Sequence, residues 1–253
     1  MTWSATDYSA FEAERTRPVR DLVGNVPRDR ANLVVDLGCG PGNSTEVLAE
    51  RYPSASVIGV DNSPDMLDAA RRRLPHVTFE LAGIADWQAP GAVDVILANA
   101  SLQWLEDHRA LYPALIAKLS AGGCLAVQTP DNLGEPSHRL ARDVAADGPW
   151  SAKIGRVRHP DRHDATWYHA LLAPRCAGVD IWRTTYFHRL QGHRAIVEWF
   201  RASALRPYLA PLSPGEQADF LAAYEQAISG AYPPLADGTV LLPFPRLFVI
   251  ATR

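Results

Sequence analysis

The segment VVDLGCGPGNST, residues 34–45, carries the clearest chemical potential of the sequence. An apolar run ends in a turn that contains Gly38, Gly40 and Gly42, and a helical pattern begins near Asn43. Glycine adopts positive φ at no steric cost and lets a ligand approach the backbone closely. The pattern therefore predicts a nucleotide-type ligand at the junction between a strand and a helix.

Asp36, immediately before this turn, bears on the identity of the ligand. The dinucleotide fingerprint is G-x-G-x-x-G, with the pyrophosphate on the helix N-terminus. Here the third glycine comes one residue early, and a carboxylate stands where it would repel a pyrophosphate. S-adenosylmethionine carries an ammonium and a sulfonium and no phosphate. The combination therefore favours S-adenosylmethionine over a nicotinamide dinucleotide.

The second apolar run, VIGVD, supports an adenosine ligand. It ends at Asp61, which is 19 residues after Gly42, and a carboxylate at this place can accept hydrogen bonds from ribose hydroxyls. The structural alternative is that Asp61 only caps the helix that starts at Pro64. Asn62 and Met66 follow closely and are expected along the ribose and adenine.

The third run, within residues 79–87, departs from the pattern expected of this cofactor. The position expected to be acidic near the adenine is Gly83. Two alternatives remain open: the backbone of Ile84 and Ala85 binds the adenine, or Asp86 takes the acidic role.

Alternating apolar runs and helical patterns predict an α/β fold, a Rossmann-like, doubly wound sheet of seven strands. The predicted strands are Leu33–Leu37, Val57–Val60, Val77–Leu81, Val93–Ala98, Cys124–Val127, Val179–Leu190 and Leu241–Thr252. The predicted helices are 5–24, Ser44–Arg51, Pro64–Leu74, His108–Leu119 and Thr166–Ala173. Residues 131–164 are predicted to be a loop with short helices. A helical lid at about 195–235 is expected between the last two strands, within a single domain of residues 1–253.

Composition excludes several classes of protein. The net charge of −3 argues against a general nucleic-acid binder, and no apolar stretch approaches the roughly 20 residues of a membrane span. The three cysteines have no metal-type spacing, which favours free thiols in a reducing compartment. Only Lys118 and Lys153 are lysines, so the other 23 of the 25 basic residues are arginines, a bias that genome composition alone could produce.

The motifs VVDLGCGPGNST, GVDNSPDML, LANASLQW and LSAGGCLAVQTPDN resemble those of the class I S-adenosylmethionine-dependent methyltransferases. The chain is more closely similar to the trans-aconitate 2-methyltransferase family over nearly its whole length. The particular elements are WSATDYSAFEAERTRP, NASLQW, TPDNLGEPSH, GPW, LRPYL and FPRLF. The resemblance implies monomethyl esterification of one carboxylate of trans-aconitate, in the cytoplasm.

Such a reaction needs positioning rather than a general base, because a carboxylate is already ionised at neutral pH. No catalytic acid or base is therefore expected, and no metal. Gln103 and Trp104 are expected to position the reactants at the end of the fourth strand, where Asn99 is a cofactor candidate. For Trp104 the alternative is packing in the core.

The remaining candidates for substrate binding are residues that suit a polycarboxylate: an arginine offers an ion pair, and a hydroxyl or a ring nitrogen offers a hydrogen bond. They are Tyr8, His138, Trp199, Arg206, Tyr208 and Arg246. Four of them have a structural alternative: helix packing for Tyr8, a surface loop for His138, a buried helix face for Trp199, and a structural salt bridge for Arg246.

Three other functions remain open from the sequence. They are methylation of another small acid or metabolite, a nicotinamide-dependent oxidoreductase on the same fold, and a cofactor-binding module without catalysis. The expected partner is a small polycarboxylate, with no nucleic acid and no membrane, and the protein is expected to be a cytoplasmic monomer.

Overall fold

The computed structural model describes residues 12–157, 162–201 and 203–253. The predicted substrate residue Tyr8 and the start of the predicted helix 5–24 lie outside this part of the chain.

The described elements alternate between strands and helices along the first half of the chain. In order they are α1 (Glu12–Gly24), β1 (Leu33–Leu37), α2 (Asn43–Arg51), β2 (Ser56–Asp61), α3 (Pro64–Arg73), β3 (Thr78–Leu81), β4 (Val93–Asn99), a 3₁₀ turn (Leu102–Trp104), α4 (His108–Ala117), β5 (Leu119–Pro130), α5 (Pro136–Asp147), α6 (Ser151–Ile154), α7 (Ala165–Leu172), a second 3₁₀ turn (Ala173–Arg175), β6 (Gly178–Gln191), α8 (Gly192–Arg201), α9 (Arg206–Leu209), α10 (Pro214–Ala231) and β7 (Thr239–Thr252).

The seven strands form one sheet in the order β3-β2-β1-β4-β5-β7-β6. Strands β1 to β5 pair in parallel, so their carboxyl ends share one edge of the sheet. Strand β7 runs against β5, because Arg253 exchanges backbone hydrogen bonds with Gly122 and Gly123, whereas Pro245 accepts one from Asp131. The order reverses at β1, which is where ligands bind in open α/β sheets. The predicted fold class is confirmed.

The chain divides into two compact units. The first, called the sheet unit, comprises the described residues of 12–130, 162–184 and 247–253. Its core includes strands β1 and β4, which are buried except at Leu33 and Asn99. The second, the helical unit, comprises the described residues of 131–159 and 185–246, and α5 packs against α10 within it. None of the described helices is long and apolar enough to cross a membrane.

Three helices of the described chain, α8, α9 and α10, lie between the last two strands at residues 192–231, where the sequence predicts a helical lid at about 195–235; the role of a lid stays a prediction. The loop predicted for residues 131–164 is wrong in part, because α5 is a helix of 12 residues. Buried tyrosines of the helical unit explain the difference. The Tyr232 hydroxyl accepts from the Ser137 amide at 2.9 Å, and the Tyr224 hydroxyl donates to the Ser137 carbonyl at 3.0 Å.

A buried carboxylate, Asp94, ties together the beginnings of three central strands. One oxygen accepts from the Asn32 amide at 2.6 Å, and the other accepts from the Ser120 hydroxyl and from Arg28, both at 2.6 Å. Burial alone would raise the pKa of Asp94, but these hydrogen bonds and the Arg28 charge outweigh it and hold the pKa below its usual value.

We expect Asp94→Asn to lower the free energy of unfolding by about 2 kcal/mol at pH 7, because the charged acceptor is lost. Asp68→Asn is the matched control: its ion pair with Arg71 is exposed, so the loss should be under about 0.5 kcal/mol. Urea unfolding measures both.

The pH dependence has a definite sign. A carboxyl whose pKa is lowered by folding stabilises the protein above its unfolded pKa of about 3.9. The difference between wild type and Asp94→Asn should therefore stay constant from pH 7 to pH 5 and shrink as the pH falls below about 4. Equal losses for the Asp94 and Asp68 variants would contradict this account.

Candidate active site

The glycine turn after β1 has the backbone conformation that the sequence predicts. Gly38, Gly40 and Gly42 have φ values of 76°, 53° and 93°, in the region that side chains disfavour. A Cβ atom on Gly38 would lie 2.3 Å from the Cβ of Ser101, so the two chain segments approach as closely as only glycine permits. The turn is anchored on β2, since the Gly38 amide donates to the Val60 carbonyl at 2.7 Å.

Asp36 is fully buried beneath this turn. Its Oδ2 accepts from the Ser44 and Thr45 hydroxyls, both at 2.7 Å, whereas its Oδ1 has no hydrogen-bond partner among the described residues. Burial raises the pKa of Asp36 to about 6, the charge of Asp61 adds to the rise, and the two hydroxyls oppose it. The carboxylate therefore keeps one acceptor oxygen for a group that the described chain does not supply.

Two more buried acceptor oxygens without a hydrogen-bond donor among the described residues lie at and just after the end of β4, on Asn99 and Gln103. Ala100 adopts a positive φ of 51°, and the chain turns there. The Gln103 amide nitrogen donates to the Ala100 carbonyl at 2.7 Å, which leaves Oε1 without a donor among the described residues. The Asn99 Oδ1 also lacks one. Buried acceptors without donors are costly unless a ligand or water supplies the hydrogen.

A small pocket lies over the glycine turn in the sheet unit. Its lining comes from α1, from the turn, from the start of α2 and from the end of β4. These residues are Val19, Gly38, Cys39, Gly40, Pro41, Asn43, Ser44 and Asn99. Ser44 joins this lining to the Asp36 carboxylate.

These residues fit S-adenosylmethionine, the predicted cofactor. Its ammonium has three donors and a positive charge, which suits the acceptor oxygens of Asp36 and Asn99. A pyrophosphate offers only acceptors and negative charge, and the buried carboxylate would repel it.

Asp61 links β2 to the glycine turn. Its two oxygens accept from the backbone amides of Gly40 and Ser63, each at 2.9 Å. The contact with Ser63, just before α3, matches the structural alternative of a capping role. It does not exclude ribose binding, because each carboxylate oxygen has a second lone pair. Of its neighbours, Asn62 is exposed and Met66 is buried.

The segment after β3 leaves both adenine-side alternatives open. The Ile84 side chain lies beside the turn, 3.4 Å from where a Cβ of Gly38 would stand. The Asp86 amide donates to the Gly83 carbonyl at 3.1 Å, and its carboxylate lies beside Gly83. Ala85 is exposed.

The two residues predicted to position the reactants, Gln103 and Trp104, are neighbours in the 3₁₀ turn after β4, but they differ in burial. Gln103 is buried, but Trp104 is 51% exposed, so core packing, the alternative for Trp104, is wrong. The exposure follows from the short turn, which directs successive side chains to different sides.

In the helical unit, three of the predicted substrate residues lie around Phe244. Arg246 and Trp199 lie against its ring, and His138 is connected to it through Phe200. The Arg246 guanidinium lies 4.8 Å from the Phe244 ring centre, and the Trp199 ring lies 5.8 Å from it. Phe200 stacks on Phe244 and also meets the ring of His138 at 5.1 Å. His138 and Arg246 are both more than nine-tenths buried. The surface-loop alternative for His138 is therefore wrong, because the residue belongs to the first turn of α5.

The other two predictions of the insertion fall elsewhere in the helical unit. Tyr208 is buried and stacks on Phe220 at 6.1 Å, and Arg206 begins the short helix α9. Sequence reasoning missed His188, which stacks on Trp199 at 4.7 Å and lies 5.4 Å from Phe244. A signal was present, because Tyr186, His188 and Leu190 alternate with exposed residues along β6.

Comparisons with known proteins identify the family of the chain. The Methyltransferase domain family matches residues 34–123, which include the glycine turn. Among curated proteins, the trans-aconitate 2-methyltransferase of Methylobacterium radiotolerans is 53% identical over 99% of this chain and 98% of its own. Those of Azoarcus sp. and Yersinia pestis are 49% and 50% identical over at least 97% of each chain.

Solved structures share the fold at low identity. The YcgJ protein of Bacillus subtilis aligns with a TM-score of 0.62 at 11% identity, over 94% of this chain and 98% of its own. A phosphoethanolamine N-methyltransferase of Haemonchus contortus, solved with S-adenosylhomocysteine, aligns with a TM-score of 0.55 at 14% identity, over 97% of this chain and 57% of its own.

These relatives are similar from end to end and not only in the glycine turn, so the match extends to the insertion and the last strand. The recognition made from the motifs is confirmed, and with it the dependence on S-adenosylmethionine. The chain belongs to the trans-aconitate 2-methyltransferase family of the class I S-adenosylmethionine-dependent methyltransferases.

Proposed function

We propose that this protein transfers a methyl group to one carboxylate of trans-aconitate and forms the monomethyl ester. The observation that carries the proposal is the identity of about 50% to curated trans-aconitate 2-methyltransferases over nearly the full length of both chains. The buried guanidinium of Arg246 beside Phe244 supports it, because a tricarboxylate needs a positive partner and the chain has a net charge of −3.

The chemistry needs no proton transfer. S-adenosylmethionine supplies the methyl group as a sulfonium electrophile, and the carboxylate oxygen forms the new bond as the carbon–sulfur bond breaks. The carboxylate is ionised at neutral pH, so no side chain must remove a proton. The protein contributes by aligning the reactants and by excluding water, which lowers the barrier through proximity and desolvation.

Six of the candidate residues have a defined part in this proposal. Asp36, together with Asn99, accepts from the ammonium of the cofactor, and Asp61 accepts from its ribose. Gln103 orients the reactants through its buried amide. Arg246 binds the carboxylates that are not methylated through its guanidinium, since charged donors make the strongest hydrogen bonds to carboxylate, and His138 offers a ring N–H as a further donor.

The other substrate candidates stay predictions, namely Trp104, Trp199, Arg206, Tyr208 and Tyr8. So do a cytoplasmic location and a monomeric state. No group of three or more His, Cys, Asp or Glu in the described part of the chain could hold a metal ion.

Incubation with S-adenosylmethionine and trans-aconitate should give the monomethyl ester, detected by mass spectrometry. A panel of acids with one, two or three carboxylates tests the alternative of another small acid. Rates as high with a monocarboxylate as with trans-aconitate, or no ester with trans-aconitate, would refute the proposed substrate.

Arg246→Gln should raise the KM for trans-aconitate at least about tenfold, because one charge-assisted contact to a carboxylate is lost. The Kd for S-adenosylhomocysteine should stay within twofold. Arg189→Gln is the matched control, since Arg189 is an exposed arginine of the same helical unit and should leave both constants unchanged. An unchanged KM in Arg246→Gln would remove this arginine from the substrate site.

The raised pKa of Asp36 makes cofactor binding dependent on pH. The ammonium of the ligand prefers the ionised carboxylate, so affinity should rise as the pH rises through about 6 and then level off. We expect S-adenosylhomocysteine to bind about tenfold more weakly at pH 5 than at pH 7, measured by calorimetry.

Asp36→Asn tests the source of this dependence. It should bind the ligand more weakly at pH 7 and show no slope between pH 5 and pH 7. Asp65→Asn, at an exposed site on α3, should keep the wild-type slope. A slope that survives in Asp36→Asn would assign the titration to another group.

A further inference from the structure

His108 is a buried histidine that the proposed reaction does not use. It is the first residue of α4 and is only 1% exposed. Its ring lies among the rings of Tyr112, Tyr168 and His163, at 5.3, 6.0 and 5.9 Å between centres. A polar ring at such a site must have its hydrogen bonds satisfied, and these bonds define its role.

Both ring nitrogens of His108 have partners within hydrogen-bond distance. Nε2 lies 2.9 Å from the Leu102 carbonyl oxygen, and Nδ1 lies 2.7 Å from the Tyr168 hydroxyl. A carbonyl only accepts, so Nε2 must carry the hydrogen. In the neutral ring Nδ1 then accepts from the Tyr168 hydroxyl. Burial lowers the pKa of His108, which favours this neutral form.

Leu102 is the first residue of the 3₁₀ turn that carries Gln103. The same carbonyl also accepts from the Leu105 amide at 3.0 Å, and so closes the turn. On its other side the turn is held by the Ser101 hydroxyl, which donates to the Leu37 carbonyl at 2.7 Å. His108 therefore fixes one side of the segment from which the Gln103 amide projects.

The Gln103 amide is sensitive to small movements of this turn. Its nitrogen is committed to the Ala100 carbonyl at 2.7 Å, and its Oε1 is a buried acceptor without a donor among the described residues. An acceptor held in this way is pre-organised for a donor of the bound reactants. A shift of the turn by about 1 Å would misalign this acceptor with the reactants and would lower the rate of methyl transfer by a large factor.

We propose that His108, held as its Nε2–H tautomer by the Leu102 carbonyl and accepting at Nδ1 from the Tyr168 hydroxyl, is a positioning residue for methyl transfer and acts through the Leu102 carbonyl on the Gln103 amide. This inference rests on the proposed function, because it assigns Gln103 to the reaction. It concerns kcat rather than cofactor binding, since the relay ends at the Gln103 amide, which the proposed function assigns to orienting the reactants, and not at Asp36 or Asn99.

The test uses a matched pair of variants, His108→Gln and His108→Met. Both side chains have nearly the same length and shape, but only glutamine can donate to the Leu102 carbonyl. We expect His108→Met to lower kcat at least about tenfold, with the Kd for S-adenosylhomocysteine within twofold of wild type. His108→Gln should recover kcat to within about threefold of wild type.

Tyr168→Phe removes the hydroxyl that donates to Nδ1 of His108, and we expect it to lower kcat about threefold. Tyr52→Phe is its control: the Tyr52 hydroxyl is also buried in the sheet unit and donates to the Arg28 carbonyl at 2.9 Å. It should leave kcat unchanged. Thermal melting of all four variants separates a loss of folded protein from a loss of positioning.

A readout without substrate keeps this inference separate from the proposed function. The side-chain amide of Gln103 can be assigned in ¹H–¹⁵N spectra by its loss in Gln103→Met. Its resonances should move toward those of a free amide in His108→Met and stay in place in His108→Gln. The assignment to His108 is overturned if the Met and Gln variants agree in kcat or in the Gln103 resonance. Absence of turnover in wild type, with the resonance pattern as expected, would refute only the proposed substrate.

Discussion

The buried carboxylate of Asp36 is the constraint from which the cofactor side of this protein follows. Because it accepts hydrogen bonds from the hydroxyls of Ser44 and Thr45, it connects the first turn of α2 to the end of β1. The chain between them must then reverse within a few residues, which requires the positive φ angles of its glycines. The same burial raises the pKa of Asp36 to about 6 and leaves one oxygen for a cationic ligand.

This part of the molecule could be predicted from sequence because its interactions are local. Asp36 and its two hydroxyl partners lie within nine residues of each other, and the turn between them needs specific residue types. Strand β1 was predicted to the residue, and the reversal of strand order at β1 follows from ordinary right-handed connections. Asp61 is further away along the chain, but its place at the end of a strand determines what it can reach.

The parts that the sequence did not predict depend on distant contacts. Helix α5 has a polar sequence, and it is held by the hydroxyls of Tyr224 and Tyr232, 87 and 95 residues further along the chain. The positive φ of Ala100 has no local signal, since alanine rarely adopts it. Phe244 went unnoticed for another reason: a phenylalanine has no chemistry of its own, although it is the ring around which Arg246, Trp199 and Phe200 gather.

The distribution of buried charge matches the two reactants of the proposed reaction. The sheet unit offers carboxylate and amide oxygens, which suit a cationic methyl donor, and the helical unit buries the guanidinium of Arg246, which suits an anionic acceptor. Methyl transfer from a sulfonium to a carboxylate cancels one positive and one negative charge, so neither product is held by the full attraction that bound its precursor. An overall charge of −3 would repel a tricarboxylate at long range. Among the described residues, the excess of arginine over lysine therefore bears on the proposed reaction where a guanidinium is buried, as at Arg246, which the structure places beside Phe244, a ring that also neighbours Trp199.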